Sequence, residues 1–484
     1  MIVKRQILVL DFGTSNVRAN LIDIENGKVN ASVSKKYTWQ YPSPGFVEID
    51  ALEIWHMSED VVEGVLAQPE AEGMLEGISF SFFGDGIICV DKYGESLTNV
   101  IVQMDNRAVE QARTIGRALG ERHVQEILCW PITLDIMTGA KILWMKENQQ
   151  DIFDKSYFYT LQQFIMKKLG MPSWNDFTVA SRMMLLDIKN KCWSKELLDF
   201  IGINEEQMGG EPKASTTVVG ETSRYGRVEL PRCVPVVLGI HDAEAGMIGL
   251  GVGPDTHDKI GGITGTFDHL GYFVDSDEHI SLLPDISIVS GPFDSSYTMM
   301  SSAMAGANYE WYIREISEKK EGHVIKELFE QMNFTGDGKL LFLPRMHMQS
   351  GVMYGMSLSD TKLDIFRAFV EGITFAMKPV ADQYKKISKG KAVVCRCGGG
   401  GSQSDRWLQL KADVFGLRME SVENYECSAL GAAIIGSLAL GVYSDVTEAA
   451  NHMVNVKAAY EPRIEAARKY QEKYEQYMNL LEKC

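Results

Sequence analysis

"ILVLDFGTSNVRANLID", residues 7–23, places an apolar run, a polar turn and a second apolar run one after another. Aliphatic residues flank a turn that carries Gly13, so the spacing predicts a β-hairpin. The turn gathers the Asp11 carboxylate, the Thr14 and Ser15 hydroxyls and several backbone N–H groups in a small volume, with Arg18 close by. That chemistry suits Mg²⁺ and phosphate oxygens, and Gly13 removes the Cβ that would keep a phosphate off the backbone. Taken alone, the motif is more simply a hairpin whose Asp and Ser cap their own backbone. A second stretch, "GGITGTFDHLGYF" (261–273), repeats the Gly-Thr turn between apolar runs, and two such hairpins could surround a polyphosphate.

A chain of 484 residues exceeds one ordinary core and predicts two domains. Short β-branched runs alternate with longer helical patterns, which indicates a mixed α/β architecture. "VPVVLGI" (234–240) and "KAVVCRC" (391–397) each lead into a polar or Gly-rich turn and then a helical stretch, so the two halves read as built alike. Gly, Pro and Asp gather in "GLGVGPDTHD" (249–258), which puts the boundary near 244–258 and divides the chain into 1–247 and 248–484. The tail reads as a helix with Tyr470, Tyr474, Tyr477 and Leu481 on one face and a solvated polar face.

Composition narrows the function. Hydrophobic residues at 45% and charged residues at 23% are those of a folded, water-soluble chain. The net charge of −17 disfavours nucleic acid and anionic membranes as partners. No apolar stretch reaches the roughly 20 residues of a membrane span, and Asp11 arrives too early for a signal peptide, so a cytoplasmic location is expected. The eight cysteines lack the spacing of a disulfide framework; Cys395 and Cys397 read as core thiols on a buried strand. The 24 methionines read as core packing, "HMQ" (347–349) and His257 as loop histidines, and Trp130 as a core residue that could instead offer an aromatic face to a ligand.

Two further stretches carry chemistry. No GxxxxGK[ST] loop is present, so a nucleotide would be held in another way. "CGGGGSQSDRWLQLKADVFG" (397–416) sets four glycines between a strand and a helix, a floor on which adenine and phosphates can lie against a helix N-terminus. In "GIHDAEAGMIG" (239–249), Asp242 stands at the start of a helix. There it is an N-cap by default, or a carboxylate mounted to take the proton of an attacking alcohol.

"DFGTSNVRA", "PSPGFVEIDALEIW" (42–55), "NVIVQMDNRA" (99–108), "GIHDAEAG", "GITGTF", "FRAFVEGITFAM" (366–377), "GGGSQSDRWLQLKADVFG" and "ECSALGAA" (426–433) follow one another in an order that resembles the FGGY family of carbohydrate kinases along nearly the whole chain. The resemblance implies two actin-like, ribonuclease H-like ATPase domains flanking a catalytic cleft, the first mainly for sugar and the second mainly for ATP. It implies that Asp11 helps to hold Mg²⁺, that Gly13, Thr14, Ser15 and Arg18 form a first phosphate loop, and that Gly265 and Thr266 form a second. Gly399, Gly400 and Gly401, followed by Ser402, match the adenosine-binding turn. Asp242 matches the general base of a reaction that turns ATP and a sugar into ADP and a sugar phosphate.

Substrate residues implied by the resemblance are Phe83, Asp85, Asp105, Arg107, His241 and Asp242. "SFSFFGDGIICVDKYGESL" (79–97) lacks both the Met-His pair of xylulose kinases and the Arg-Glu pair of glycerol kinases. Phe83-Gly84 and His241 resemble fuculose- and rhamnulose-type members, which favours a fuculose-like ketose. Asp105 and Arg107 serve equally well as a helix cap paired with a charge. "FLPRMHMQSGVMYGM" (342–356) departs from the Gly-Glu-Arg-x-Pro element of many relatives. The partners implied are a small sugar and ATP, with a homodimer carried as the expected assembly. A sugar- or nucleotide-binding sensor without phosphoryl transfer and a chaperone-like ATPase are the rival readings. Asp242 weighs against the first of them.

Overall fold

The computed structural model describes residues 4–131, 137–265, 267–275, 280–317, 324–345 and 350–483. The chain divides into two compact units. Met1–Asp255, Phe273–Met299 and Ser428–Val454 make the first, and Thr256–Tyr272, Met300–Cys427 and Asn455–Cys484 the second. Among the described residues no helix is long and apolar enough to cross a membrane.

The hairpin expected at the N-terminus forms. Strands Arg5–Phe12 and Asn16–Asp23 pair antiparallel with Asp11 opposite Arg18. Successive residues of a strand face opposite sides, and Gln6 to Leu10 are all buried because both faces of the sheet are covered. The sheet of the first unit runs Val218–Tyr225, Val228–Val237, Met74–Phe82, Arg5–Phe12, Asn16–Asp23, Val29–Lys36, and the short strand Ile240–His241 also pairs with Met74–Phe82. Met74–Phe82 lies parallel to both Arg5–Phe12 and Ile240–His241, with Asp11 and Ile240 each opposite Ser81 and with Phe12 and His241 each opposite Phe82. Phe80, Phe82 and Phe12 are fully buried and stack in succession, Phe80 on Phe82 at 5.5 Å and Phe82 on Phe12 at 5.2 Å. Burial of each such ring contributes about 2–3 kcal/mol and fixes the register.

Two of this unit's helices pack directly on the sheet. Helix Ala51–Leu66 starts at Asp50, whose Oδ1 accepts from the N–H groups of Leu52 and Glu53, and it buries Ile54, Trp55, Val61, Val62 and Val65. Helix Cys427–Ala439 lies against the sheet, where the Ser79 hydroxyl donates to the Ala432 carbonyl at 2.7 Å. It also meets helix Asp242–Gly249: the Ser428 hydroxyl donates to the Asp242 carbonyl, and a Cβ on Gly431 would stand 1.7 Å from the Ala245 carbonyl oxygen.

In the second unit the strands lie in the order Tyr297–Met304, Phe267–Val274, Lys259–Thr264, Val394–Gly398, Arg418–Val422, Val456–Tyr460. Lys259–Thr264 and Phe267–Val274 form the second expected hairpin. Cys395 and Cys397 are buried on strand Val394–Gly398, as core thiols. The tail forms helix Ile464–Leu481, and Tyr470, Tyr474 and Tyr477 pack around Phe375. Two details differ from the sequence reading. Leu481 is exposed at the end of the helix, and Lys473, from the supposedly solvated face, is buried with its ammonium 2.5 Å from the Glu371 carboxylate.

Two glycines in helices therefore respond in opposite directions to the same added methyl group. Gly431→Ala drives a Cβ into a backbone carbonyl and is expected to cost about 3 kcal/mol or more. In Gly116, inside helix Val109–Leu119, the nearest atom to a new Cβ is 3.7 Å away, so Gly116→Ala is expected to stabilise by ~0.5–1 kcal/mol through helix propensity. Urea unfolding midpoints of the two variants check both signs.

Candidate active site

The parallel register brings the chemistry of the first unit to one end of its sheet. Asp11 and Ile240 face Ser81 from opposite sides, two strand spacings or ~10 Å apart, and Asp242 follows two residues after Ile240. Ligands of α/β sheets gather at such carboxyl ends of parallel strands. Asp11 is half-buried, whereas Thr14 and Ser15 at the tip of the hairpin are exposed. The Gly13 N–H closes the turn on the Asn16 carbonyl, and a Cβ there would come no closer than 3.4 Å to any atom outside its chain neighbours.

Asp242 opens helix Asp242–Gly249, and its side chain keeps 31% exposure. Its carboxyl pKa is raised chiefly by desolvation, with the negative Glu244 adding to the effect and His241 and Arg182 opposing it. Behind it lies a buried group of charges. Arg182 Nη2 donates to Glu244 Oε1 at 3.0 Å, His241 Nδ1 lies 2.5 Å from Glu244 Oε2, and His241 Nε2 lies 3.4 Å from Asp242 Oδ1. The Thr178 hydroxyl accepts from the His241 N–H, which fixes the backbone at the helix entrance. Burial alone would raise the Glu244 pKa, but Arg182 and His241 outweigh it and hold the carboxyl at about 2.

The segment after Met74–Phe82 runs into this group. At Gly84 a Cβ would lie 2.7 Å from both Arg182 Cγ and His241 Nε2, so only glycine lets the chain pass so close. Asp85 has φ +62°, a conformation that non-glycine residues seldom adopt and that recurs at functional sites. Lys141 supports it by donating to the Asp85 and Val102 carbonyls at 3.0 and 2.9 Å. The Lys141 ammonium is buried and its pKa falls to about 8 through desolvation. Asp85 itself is 7% exposed, and its Oδ1 has no hydrogen-bond partner among the described residues. Its pKa is raised by burial, against the pull of Arg182, His241 and Lys141. Trp130, 9% exposed, faces the Arg182 guanidinium at 5.4 Å.

Phe83, Asp105 and Arg107 occupy different surroundings. Phe83 belongs to the hydrophobic core, and its N–H donates to the Phe12 carbonyl. Asp105 Oδ2 accepts from the Val47 N–H at 2.7 Å, and Arg107 bonds both Asp105 and Glu48 while its guanidinium lies 4.0 Å from the Phe46 ring centroid and 5.1 Å from that of Trp144. This clamp joins the 46–48 and 105–107 segments through groups that satisfy one another.

The second unit holds the other glycine-rich elements. Gly265 closes its turn by donating to the Phe267 carbonyl; Thr266 lies outside the described residues. Gly399 has φ +77°, and a Cβ there would strike the Thr264 carbonyl oxygen at 2.4 Å, while one on Gly401 would meet Thr264 Cγ2 at 2.6 Å. These two glycines are required by the neighbouring strand. Gly265 and Gly400 have nothing within 4 Å of a would-be Cβ, so packing makes no such demand there. Ser402 is turned inward and donates to the Gly399 carbonyl at 2.7 Å. Buried Lys411 reaches Asp268 Oδ1 at 2.7 Å and Thr264 Oγ1 at 3.2 Å, which ties helix Asp405–Phe415 to the hairpin.

Sequence reading missed Arg182, Glu244, Lys141 and the Lys411–Asp268 pair. Glu244 could have been found from its three-residue spacing after His241 at a helix start. Arg182 and Lys141 lie far along the chain from the groups they serve, and nothing local announces them. No group of three or more His, Cys, Asp or Glu side chains among the described residues forms a ready metal cage. A Mg²⁺ held by one carboxylate, water and substrate phosphates needs no such cage, and half-buried Asp11 beside the exposed Thr14 and Ser15 fits that mode.

Comparison with known proteins gives a concordant picture. The chain is 25% identical to xylulose kinase of Bacillus subtilis (strain 168), over 98% of this chain and 96% of that one. It is 26% identical to glycerol kinase of Enterococcus casseliflavus, over 93% and 91% of the two chains. Among solved structures it is similar to gluconate kinase from Lactobacillus acidophilus, with a TM-score of 0.86 and 22% identity, covering 99% of this chain and 97% of that one. Residues 6–249 match the N-terminal domain, and residues 263–440 the C-terminal domain, of one family. The chain therefore belongs to the FGGY family of carbohydrate kinases.

Proposed function

We propose that this kinase transfers the γ-phosphoryl group of Mg·ATP to a hydroxyl of a ketose or related sugar, with Asp242 as general base. The observation that carries the reading is the Asp242 carboxyl: partly exposed, at a helix start, at the carboxyl end of the sheet that also presents Asp11. A raised pKa brings it toward the range in which a general base works best at neutral pH. As the hydroxyl oxygen forms its bond to the γ-phosphorus, its proton passes to Asp242 and the bond to the departing ADP breaks. The N–H groups of Thr14 and Ser15, with Arg18, would receive phosphate oxygens at the turn that Gly13 closes, and Gly265 and Thr266 would form the second phosphate loop. Asp11 is the residue that would hold Mg²⁺, which supplies charge neutralisation to the phosphates.

Gly399, Gly400 and Gly401 would form the adenosine floor, with Ser402 bracing the turn from below. Residues 1–247 would then serve chiefly the sugar and 248–484 chiefly ATP. For the acceptor, the full-length relatives named xylulose kinase favour a pentulose, whereas His241 and Phe83-Gly84 favour a fuculose-like deoxyketose. The unpartnered Asp85 Oδ1 supports a polyhydroxylated ligand in either case, because a buried acceptor without a donor is costly until a hydroxyl supplies one.

ADP release measured across D-xylulose, L-fuculose, L-rhamnulose, gluconate and glycerol is expected to rise with one of the ketoses. Rates equal to the sugar-free background with every one of them would overturn the acceptor class. Asp242→Asn is expected to lower turnover at least about 100-fold with ATP affinity nearly intact; near-normal turnover would remove Asp242 from its role. Gly400→Val is expected to raise KM for ATP with little change in thermal midpoint, since no protein atom stands where the new side chain begins. An unchanged KM would take the floor away from nucleotide binding.

A further inference from the structure

Glu244 is fully buried directly behind the proposed base. One of its oxygens receives Arg182 Nη2 at 3.0 Å and the other lies 2.5 Å from His241 Nδ1. A carboxyl held at about 2 has no proton to donate at neutral pH, so the proton in that short contact belongs to Nδ1. The Ala243 N–H, 3.3 Å from the same nitrogen, then finds no lone pair there. With Nδ1 committed, Nε2 is the atom turned to Asp242 Oδ1 at 3.4 Å. A lone pair on Nε2 would repel that carboxylate, whereas an Nε2–H is attracted to it. The charged groups around the imidazole are Arg182 from helix Phe177–Arg182, Asp85 from the loop after Met74–Phe82, and Asp242 and Glu244 from its own helix. Burial and Arg182 disfavour the imidazolium; Glu244 and Asp242 more than offset them, and the net displacement is upward.

We propose that Glu244 is a positioning residue for phosphoryl transfer: it grips the His241 ring through Nδ1–H so that Nε2–H is presented to Asp242, orienting the base and keeping it unprotonated until the acceptor arrives. The proposal rests on Asp242 being the base. In the transfer itself the hydroxyl proton goes to an Asp242 oxygen as the new P–O bond forms and the bond to ADP breaks. His241, Glu244 and Arg182 exchange no proton, so the step needs no further reactant.

The test compares wild type, Glu244→Gln, His241→Gln and the double variant with Mg·ATP and the ketose of highest turnover in the panel above. Glutamine keeps a carbonyl acceptor for Nδ1–H and Arg182 while removing the charge. Glu244→Gln is expected to lower kcat about 10–100-fold with KM for ATP unchanged. The acid limb of kcat/KM moves to higher pH, because the His241 cation lowers the Asp242 pKa by more than the Glu244 charge raises it, so that losing both leaves Asp242 holding its proton more readily. The double variant is expected to be no slower than His241→Gln alone. Titration of ¹⁵N-histidine-labelled protein gives a readout independent of turnover: the His241 resonance stays cationic above the ordinary histidine range in wild type and titrates lower in Glu244→Gln. If Glu244→Gln does not fold, His241→Gln, which leaves the Arg182–Glu244 pair in place, must show the same acid-limb shift. Losses that multiply in the double variant, an unmoved acid limb, or a neutral His241 in wild type at pH 7 would overturn the proposal. Asp242→Asn that remains active sinks this inference together with the functional reading, whereas an inactive Asp242→Asn beside a fully active Glu244→Gln sinks this inference alone.

Discussion

One strand governs the first unit. Met74–Phe82 is parallel to both of its neighbours at its carboxyl end, so Ser81 and Phe82 fix what stands on either side: Asp11 and Phe12 in one direction, Ile240 and His241 in the other. A slip of one residue would send every alternate side chain to the opposite face. The stacked rings of Phe12, Phe80 and Phe82 resist such a slip, since each would have to leave a fully buried position. Two acids widely separated in the chain are held near one another by apolar packing, before any charge interaction is considered.

Electrostatics then refines that placement. Arg182, His241 and Glu244 form a compact buried group joined through the two Glu244 oxygens, and the partly exposed Asp242 borders it. Inside a protein an unpaired charge is expensive and a paired one is tolerable. The cost of burying this group is offset by its mutual hydrogen bonds, and what remains outward is a carboxyl whose protonation is set by its neighbours. Asp85 is a contrasting case: its backbone is held in a rarely used conformation by Lys141, and its Oδ1 has no partner among the described residues. Evolution tolerates such strain where a ligand completes the arrangement.

Much of this was legible in the chain. Apolar runs broken by polar or Gly-rich turns pointed to both Gly-Thr hairpins, the helix start at Asp242 and the strand before the four glycines, because those features depend on neighbours within a few positions. The order of motifs pointed to the family, which the domain matches bear out. Hidden from local reading were groups whose meaning is set by distant partners. Lys473 looked like one more solvated cation on a helix, yet Glu371, about a hundred positions earlier, draws it into the interior. Arg182 and Lys141 were overlooked for the same reason. The glycines of the floor also separate only in three dimensions: Gly399 and Gly401 yield room to Thr264, and Gly400 does not.

The first unit is assembled from three segments, the last of which, Ser428–Val454, follows the other two only after a long stretch of the second unit. Its helix supplies the Ala432 carbonyl that receives Ser79 and brings Gly436 against Ile7 and Ser79. While the ribosome is still making the middle of the protein, that side of the N-terminal sheet lacks this helix. Completion of the first unit must therefore wait until residues 428–454 have emerged, and a nascent or truncated chain ending near residue 255 would present the surface that this helix covers to chaperones and proteases.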